Sequence, residues 1–187
     1  MNKKAQVSAN TKKSFMDALC CICRQKSIEN ITIQEITRKA GYNRCTFYQY
    51  FQDIYELLNH IEDMIIKEIE DFIQINTSND DFIKNFIEAF TKIREGHIIY
   101  LELLLNHSSN VRFINKLKKA FSPILFQKLN ISENELLSQY IVEIYFHTIL
   151  ATIACWIENK RNLPTDDILN IVSNTLNKGI MSNIKRM

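Results

Sequence analysis

The sequence predicts an all-α protein of about nine helices, in which a small N-terminal head precedes a larger helical body. Three observations support this fold class. Only three Gly and two Pro occur among the 187 residues, so few positions would break a helix. Apolar residues recur every three or four positions along most of the chain, which is the period of amphipathic helices. Residues that favour helix caps stand where several of these periodic stretches begin.

The first helix is predicted over residues 11–26. Phe15, Leu19 and Ile22 recur at helical spacing and would form its buried face. Residues 1–13 are polar and no apolar stretch follows them, so we expect no secretory signal and a location in the cytoplasm.

The second helix is predicted to begin after Thr32 and to end at Gly41. Thr32 and Glu35 have the spacing of a capping box, in which each residue bonds the other's backbone N–H. Ile33 and Ile36 lie three apart and would share one buried face. Gly41 can adopt the left-handed conformation that commonly ends a helix.

The third helix is predicted to follow at once, with Asn43 as its N-terminal cap. Phe47 and Phe51 lie four apart and would both face inward. Two helices joined by such a turn form a helix-turn-helix, whose second helix enters a DNA major groove. An αα-corner that binds no nucleic acid has the same layout. The additional rings of Tyr48 and Tyr50 exceed what a corner needs and favour the DNA-binding interpretation.

Six further helices are predicted in the rest of the chain. They cover approximately residues 53–75, 80–93, 97–106, 110–129, 132–160 and 164–179. Pro123 is a possible interruption of the seventh helix. Ser132 and Glu135 have capping-box spacing at the start of the eighth, and Pro164 suits the start of the ninth. The polar residues 76–81 are predicted to form a loop.

The eighth helix contains a long apolar stretch at residues 140–157. The stretch is slightly short for a membrane span, and Glu143 and His147 would be costly in lipid. A helix buried on several sides, partly against a second subunit, explains the pattern better. Ile149, near the centre of the stretch, would then lie in the interface between subunits.

The charge distribution also distinguishes the head from the body. Residues 1–50 hold nine Lys or Arg against three Asp or Glu, a net charge of +6. The remaining residues hold fourteen against eighteen, a net charge of −4, and the two values sum to the +2 of the whole chain. A basic first quarter fits a DNA-binding head, although solvated basic surfaces are common.

The five cysteines do not have the spacing of a metal site. Cys20, Cys21 and Cys23 share one predicted helix, so their side chains would diverge, and no second Cys or His pair accompanies them. Free thiols in a reducing cytoplasm are the simpler interpretation, so we expect no metal, no cofactor and no disulfide. A thiol sensor stays possible, with Cys45 of the third helix as the candidate.

Residues 31–51, ITIQEITRKAGYNRCTFYQYF, resemble almost residue for residue the DNA-binding signature of the TetR family of bacterial transcriptional regulators. The TKKSFMDAL segment from residue 11 and the ACWIENKRNLPTDDILNIVSNTL segment near the C-terminus are also similar to the family. The resemblance implies a homodimer held by the eighth and ninth helices as a four-helix bundle. It further implies two heads in successive major grooves of a palindromic operator and a body cavity for a small ligand. We therefore expect a DNA-binding domain at residues 1–54 and a ligand-binding and dimerisation domain at residues 55–187.

The resemblance also implies which residues contact DNA. Together with the basic residues of the first helix, the predicted contacts are Lys12, Lys13, Thr32, Gln34, Asn43, Arg44, Cys45, Thr46, Tyr48 and Tyr50. Among them Arg44 suits a guanine, and the Tyr48 ring can lie against a thymine methyl. Packing within the head is the alternative role of the two tyrosines. The sequence departs from the family pattern at Ile54, where a Lys is usual, and at Cys45, where Ser, Gly or Ala is usual.

The effector cannot be identified from the sequence. The candidate pocket residues are the aromatic and His side chains of the body, namely Phe86, Phe90, Tyr100, Phe113, Phe121, Tyr145, His147 and Trp156. Aromatic residues at helical spacing more often belong to a core than to a pocket. Each His is more often an ordinary paired or exposed imidazole.

Three classes of function fit these observations. The first is a ligand-responsive repressor of the TetR type. The second is a DNA binder of the same fold that a protein partner controls, such as a co-activator or nucleoid-associated factor. The third is an all-helical enzyme or scaffold unrelated to DNA, for which the sequence offers no HExxH, nucleophile elbow or Gly-rich loop. We therefore expect no enzymatic activity.

Overall fold

The structure is a computed structural model that describes residues 3–75, 82–93, 95–106 and 110–184. These residues form nine α-helices and no β-strand, which confirms the predicted fold class. The helices are α1 (Lys3–Cys23), α2 (Ile33–Ala40), α3 (Arg44–Tyr48), α4 (Ile54–Ile75), α5 (Phe82–Lys92), α6 (Ile98–Asn106), α7 (Asn110–Leu129), α8 (Leu136–Glu158) and α9 (Thr165–Ile184). By packing, the chain divides into a first unit with α1–α3, the first half of α4 and α6, and a second unit with the remainder.

The first unit is built around an aromatic cluster. Phe15 of α1 packs with its ring centroid 5.2 Å from that of Phe47 and 6.4 Å from that of Phe51. Phe47 is fully buried, although it belongs to a helix of only five residues. The short α3 is therefore held in place by one large apolar side chain rather than by its own hydrogen bonds.

Helix α6 packs against α1 within this first unit. The buried Tyr100 hydroxyl donates a hydrogen bond to the Asp17 carboxylate, and Arg24 forms an ion pair with Glu102 at 2.9 Å. Burial and the Asp17 carboxylate both raise the pKa of Tyr100, so the hydroxyl keeps its proton as a donor. The packing unit thus includes an element from the middle of the sequence, beyond the predicted residues 1–54.

The second unit has its own aromatic core. The ring of Phe86 meets those of Phe90, Phe121 and Phe146 edge to face, with centroids 5.2, 5.3 and 5.7 Å away. Phe82 stacks on the same ring at 5.5 Å. These contacts join α5, α7 and α8, and such pairs stabilise beyond the area they bury.

Helix α8 has two apolar faces. The inner face is buried in the second unit, and Ile149 on it is only 1% exposed. The outer face leaves Tyr140 and Ile144 61% and 49% exposed. The prediction that Ile149 lies between subunits is therefore wrong, since its side chain fills the core of its own chain. Among the described helices, α8 is long and apolar enough to cross a membrane, but half of its apolar window is buried as in a core helix.

Several predicted helix limits need correction. Helix α1 begins at Lys3 rather than residue 11, because its polar first turns contain no Gly or Pro to stop a helix. Helix α7 continues through Pro123, with the Ser122 hydroxyl bonded to the carbonyl of Lys118 in the preceding turn. Helix α9 extends past residue 179 to Ile184. The predicted loop at residues 76–81 and the start of the fifth helix within it lie outside the described residues.

The predicted capping box of α8 is wrong. The Ser132 hydroxyl accepts a hydrogen bond from the backbone N–H of Asn134, two residues later, and so forms a local turn. The helix begins at Leu136 instead, after Glu135, whose side chain makes no capping hydrogen bond. Asn130 just upstream has φ +52, which ends α7 and leaves a longer connection than the sequence pattern indicated.

Candidate nucleic-acid interface

The N-terminus of α2 is fixed by the predicted capping box. The Thr32 hydroxyl accepts from the N–H of Glu35 at 3.3 Å, and the Glu35 carboxylate accepts from the N–H of Thr32 at 2.9 Å. Two of the donors that a helix start leaves without an internal partner are thereby satisfied. The first turn of α2, which carries Gln34, consequently has a defined position.

Glu35 also connects α2 to the segment that follows α1. Lys26 donates to both Glu35 carboxylate oxygens, at 2.7 and 2.8 Å. This hydrogen-bonded ion pair, with smaller contributions from the backbone and hydroxyl of Thr32, lowers the pKa of Glu35 to about 2. The carboxylate therefore stays ionised over the physiological range and holds α2 to the segment that follows α1.

The turn between α2 and α3 requires glycine. Gly41 has φ +77, a left-handed conformation that most residues adopt only with strain. Its N–H bonds the carbonyl of Arg38, and the N–H of Tyr42 bonds the carbonyl of Thr37 at 2.9 Å. This is the Schellman arrangement, which ends α2 sharply and sets the direction of α3.

Helix α3 begins at the predicted cap. The Asn43 side-chain oxygen accepts from the N–H and the hydroxyl of Thr46, at 2.8 and 3.1 Å. Phe47 faces inward, whereas Arg44 and Cys45 are exposed. The helix therefore presents its first residues to solvent from a fixed start.

The predicted base-reading residues lie on the exposed surface of α2 and α3. The Arg44 guanidinium Nη2 donates to the Gln34 side-chain oxygen at 3.1 Å, so the structure brings these two residues together. Tyr48 is 56% exposed, and its ring meets the buried Phe47 ring edge to face at 5.8 Å. Tyr50 is half-buried, which leaves it partly within the packing of the head.

The two predicted lysines of α1 have different surroundings. Lys12 is half-buried, with its ammonium 6.0 Å from the centroid of the Phe51 ring. Lys13 forms an ion pair with Asp17 at 2.7 Å, and Asp17 also accepts the Tyr100 hydrogen bond. A phosphate that approaches Lys13 would therefore compete with Asp17 for the same ammonium.

The start of α4 carries a feature that sequence reasoning missed. The Asp53 carboxylate accepts from the N–H of Glu56 at 2.8 Å, and the Glu56 carboxylate accepts from the N–H of Gln52, one residue before the cap. The D-x-x-E spacing of these residues could have identified Asp53 as the cap of this helix. Two carboxylates therefore occupy the helix end beside Ile54, at the position where the family usually has a Lys.

The candidate ligand residues do not all lie together. Five of them are buried in the second unit, namely Phe86, Phe90, Phe113, Phe121 and Tyr145. The Phe86 ring directly contacts the rings of Phe90 and Phe121. Tyr100 belongs to the first unit, where it bonds Asp17. His147 is 60% exposed on α8 and pairs with Glu143 at 3.3 Å, so it faces away from the core.

Trp156 borders a groove between α8 and α9. Its indole N–H donates to the carbonyl of Leu163 at 2.9 Å, and the Arg161 guanidinium lies 5.3 Å from its ring centroid. The groove encloses about 500 Å³ and is lined by Ala151, Thr152, Cys155, Trp156, Asn159, Asn162, Leu163, Ile168 and Ile171.

Four of the five cysteines fall into two environments, and the fifth, Cys21, is half-buried. Cys20 and Cys23 are buried, and desolvation raises the pKa of both thiols, that of Cys23 to about 11. Cys45 on α3 and Cys155 on α8 are exposed. Within the part of the chain that the structure describes, no three or more His, Cys, Asp or Glu residues form a cluster suited to a metal ion.

Comparisons with known proteins match both parts of the chain. Residues 17–61 match a family described as "Bacterial regulatory proteins, tetR family", and residues 88–178 match "Transcriptional regulator C-terminal region". A curated relative, "Uncharacterized HTH-type transcriptional regulator YxbF" of Bacillus subtilis (strain 168), is 34% identical over 104 residues; the match covers 56% of this chain and 25% of that relative. The solved structure of "Dihydroxyacetone kinase operon activator DhaS" aligns with a TM-score of 0.54 at 20% identity, over 95% of this chain and 97% of that one. The likeness to that structure shows a shared fold.

Proposed function

The chain belongs to the TetR family of bacterial regulatory proteins, and from this premise we propose that it regulates transcription as a ligand-responsive repressor. In this proposal a homodimer binds a palindromic operator, and a small molecule releases it. The protein acts in the cytoplasm, where the operator is accessible.

The observation that carries the proposal is the exposed surface of α2 and α3. Gln34 projects from the first turn of α2, and Arg44 and Tyr48 project from α3. Both helices begin at a cap, and the buried Phe47 anchors α3. In a major groove the Arg44 fork can bond O6 and N7 of guanine, and the Tyr48 ring can contact a thymine methyl. These contacts give sequence preference.

Most of the other predicted contacts are proposed to position the protein on DNA rather than to select particular bases. Asn43 and Thr46 define the start of α3, and Thr32 defines the start of α2. Together with Lys12, Lys13 and Tyr50, they border the base-reading residues and are proposed to meet phosphates or to support those that do, whereas Cys45 is proposed to face the bases beside Arg44 and Tyr48.

The homodimer is proposed to form through α8 and α9. The outer face of α8 exposes Tyr140 and Ile144, and α9 exposes Ile171. Large apolar side chains concentrated on a pair of neighbouring helices are typical of obligate interfaces, which are more hydrophobic than transient ones. A second copy would cover them and would set the spacing of two heads.

Ligand release is proposed to act through α4. This helix begins in the first unit and ends in the second, so its two halves belong to different units. A ligand that displaces side chains around Phe86 and shifts the second half of α4 would also displace the first half. Coupling of about 1–3 kcal/mol would change operator affinity roughly 5–150-fold.

The experiment begins with selection of duplexes from random DNA by the wild-type protein. Arg44→Ala should then lose about 1–3 kcal/mol of affinity for the selected site and should relax the preference at one base pair in each half-site. Arg24→Ala removes the same charge at a position paired with Glu102 and serves as the control. Compounds are finally screened for release of the protein from the selected duplex.

Two outcomes would contradict parts of this proposal. If wild-type protein enriches no sequence, it is not a sequence-specific regulator. If Arg44→Ala binds the selected site as tightly as wild type with unchanged preference, another residue reads the bases.

A further inference from the structure

We propose that Gln34 is a positioning residue for Arg44 and that the two side chains read DNA as one unit. The proposal rests on the DNA-binding function proposed above and concerns how its base preference is set. Gln34 lies in the first turn of α2, and Arg44 is the first residue of α3.

The geometry identifies which atoms of the pair are engaged. The Arg44 Nη2 lies 3.1 Å from the Gln34 side-chain oxygen, and both residues are exposed. A guanidinium has five N–H donors and no acceptor, so the amide must turn its oxygen toward Arg44. The amide NH₂ of Gln34 then points away from the pair and is available to a third group.

Both ends of this hydrogen bond are held by backbone structure. The capping box of Thr32 fixes the turn that carries Gln34, and Asn43 fixes the turn that carries Arg44. Gly41 sets the angle between them through its left-handed conformation. The distance between the backbones that carry the two side chains is therefore a property of the helix-turn-helix and not of a mobile loop.

This arrangement prepares Arg44 for guanine. A free Arg side chain samples many rotamers and loses that freedom when it binds, whereas a side chain held by one N–H loses less. Four N–H donors remain on Arg44 after the bond to Gln34, and two suffice for O6 and N7 of guanine. Gln34 should therefore strengthen the preference for guanine without touching that base.

The same bond restricts what Gln34 itself can read. Bidentate pairing of Gln with adenine uses both the side-chain oxygen and the NH₂, and Arg44 competes for that oxygen. The free NH₂ instead suits an acceptor in the major groove, such as O4 of thymine or O6 of guanine. The base pair next to the guanine should show this preference rather than a preference for adenine.

The test compares Gln34→Met with Gln34→Glu in the full-length protein. Met keeps the length of the side chain without a strong acceptor, whereas Glu keeps an acceptor for Arg44 and loses the NH₂. The measured quantity is the ratio of affinities for the selected duplex and for one substituted at the guanine that Arg44→Ala ceases to distinguish. Gln34→Met should lower this ratio about two- to tenfold, the range of one hydrogen bond, and Gln34→Glu should retain it.

A double-mutant cycle separates positioning from a general effect on the fold. In the Arg44→Ala background, Gln34→Met should change the ratio at this base pair no further. An unchanged ratio in Gln34→Met alone, or an equal loss in both backgrounds, would overturn the inference while leaving the proposed function intact. Failure of the wild-type protein to select any sequence would instead refute the proposed function, and this inference with it.

Discussion

The α2–α3 segment and helix α8 differ in the sequence distance of the contacts that define them. In the segment, Thr32 bonds Glu35, Asn43 bonds Thr46 and the N–H of Tyr42 bonds the carbonyl of Thr37. In α8, the orientation of the buried face depends on residues from distant helices, as in the contact of Phe146 with Phe86. Local patterns therefore predict the first region well, whereas the second depends on tertiary packing that no local pattern contains.

The largest expected effect is on stability, and it distinguishes the inner face of α8 from the outer face. Ile149→Glu should prevent the chain from folding, because an unpaired charge at a position only 1% exposed costs several kcal/mol. Ile144→Glu makes the same chemical change on the outer face and should leave a folded monomer with weakened operator binding. Circular dichroism on heating and sedimentation at micromolar concentration measure the two effects.

Similar behaviour of the two variants would contradict the assignment of a buried inner face and an interface on the outer face. A dimeric Ile144→Glu protein would show that the outer face of α8 is not the interface. A folded Ile149→Glu protein would show that the inner face tolerates charge and is not a core.

The next largest effect is also on stability, and it distinguishes the neighbouring aromatic residues Phe47 and Tyr48 of α3. Phe47→Ala should destabilise the protein by about 3–5 kcal/mol, since it leaves a cavity beside Phe15 and Phe51. Tyr48→Ala should change the free energy of unfolding by less than about 0.5 kcal/mol but should weaken binding to the selected duplex. Urea unfolding and a DNA titration of both variants provide the measurements, and comparable destabilisation by both would show that Tyr48 is structural.

The smallest effect concerns the pH dependence of stability. The pKa of Glu35 is lowered to about 2 in the folded protein, from an ordinary value of 4.5. A lowered pKa contributes stability above the unfolded value, and that contribution is lost as pH falls through the folded value. Glu35→Gln should therefore be less stable than wild type at neutral pH, with a difference that shrinks between about pH 4.5 and pH 2.

Glu133→Gln, an exposed residue in the connection before α8, removes the same charge and serves as the control. Urea midpoints at several pH values would measure the difference. A constant gap between Glu35→Gln and wild type across this range would contradict the role assigned to the Lys26 ion pair.

The residues predicted correctly share a local cause. Thr32, Gly41 and Asn43 act on backbone groups within a few positions, so their roles follow from sequence spacing alone. The bond between Gln34 and Arg44 was not predicted, because it joins two helices through a turn whose angle only the structure gives. The core position of Ile149 was missed for a related reason: α8 is apolar on both faces, so periodicity could not tell core from surface.

Two further features, the contact of α6 with α1 and the exposure of His147, could not be predicted from local sequence patterns either. The association of α6 with α1 depends on Tyr100 and Asp17, which are far apart in sequence and have no motif in common. The exposure of His147 likewise follows from the rotation of α8 about its axis. Such features require the packed structure, because a helix can rotate without any change in its sequence pattern.

The distribution of thiols has a chemical consequence. Cys45 is exposed on α3, and Cys155 is exposed on the outer face of α8, while Cys20 and Cys23 are buried. Electrophiles in the cell would therefore reach one sulfur on each proposed binding surface before they reached the interior. An adduct at Cys45 would add bulk where a base pair must fit, and one at Cys155 would hold two copies apart. The protein's two proposed binding surfaces are thus also the places where its chemistry is most open to damage.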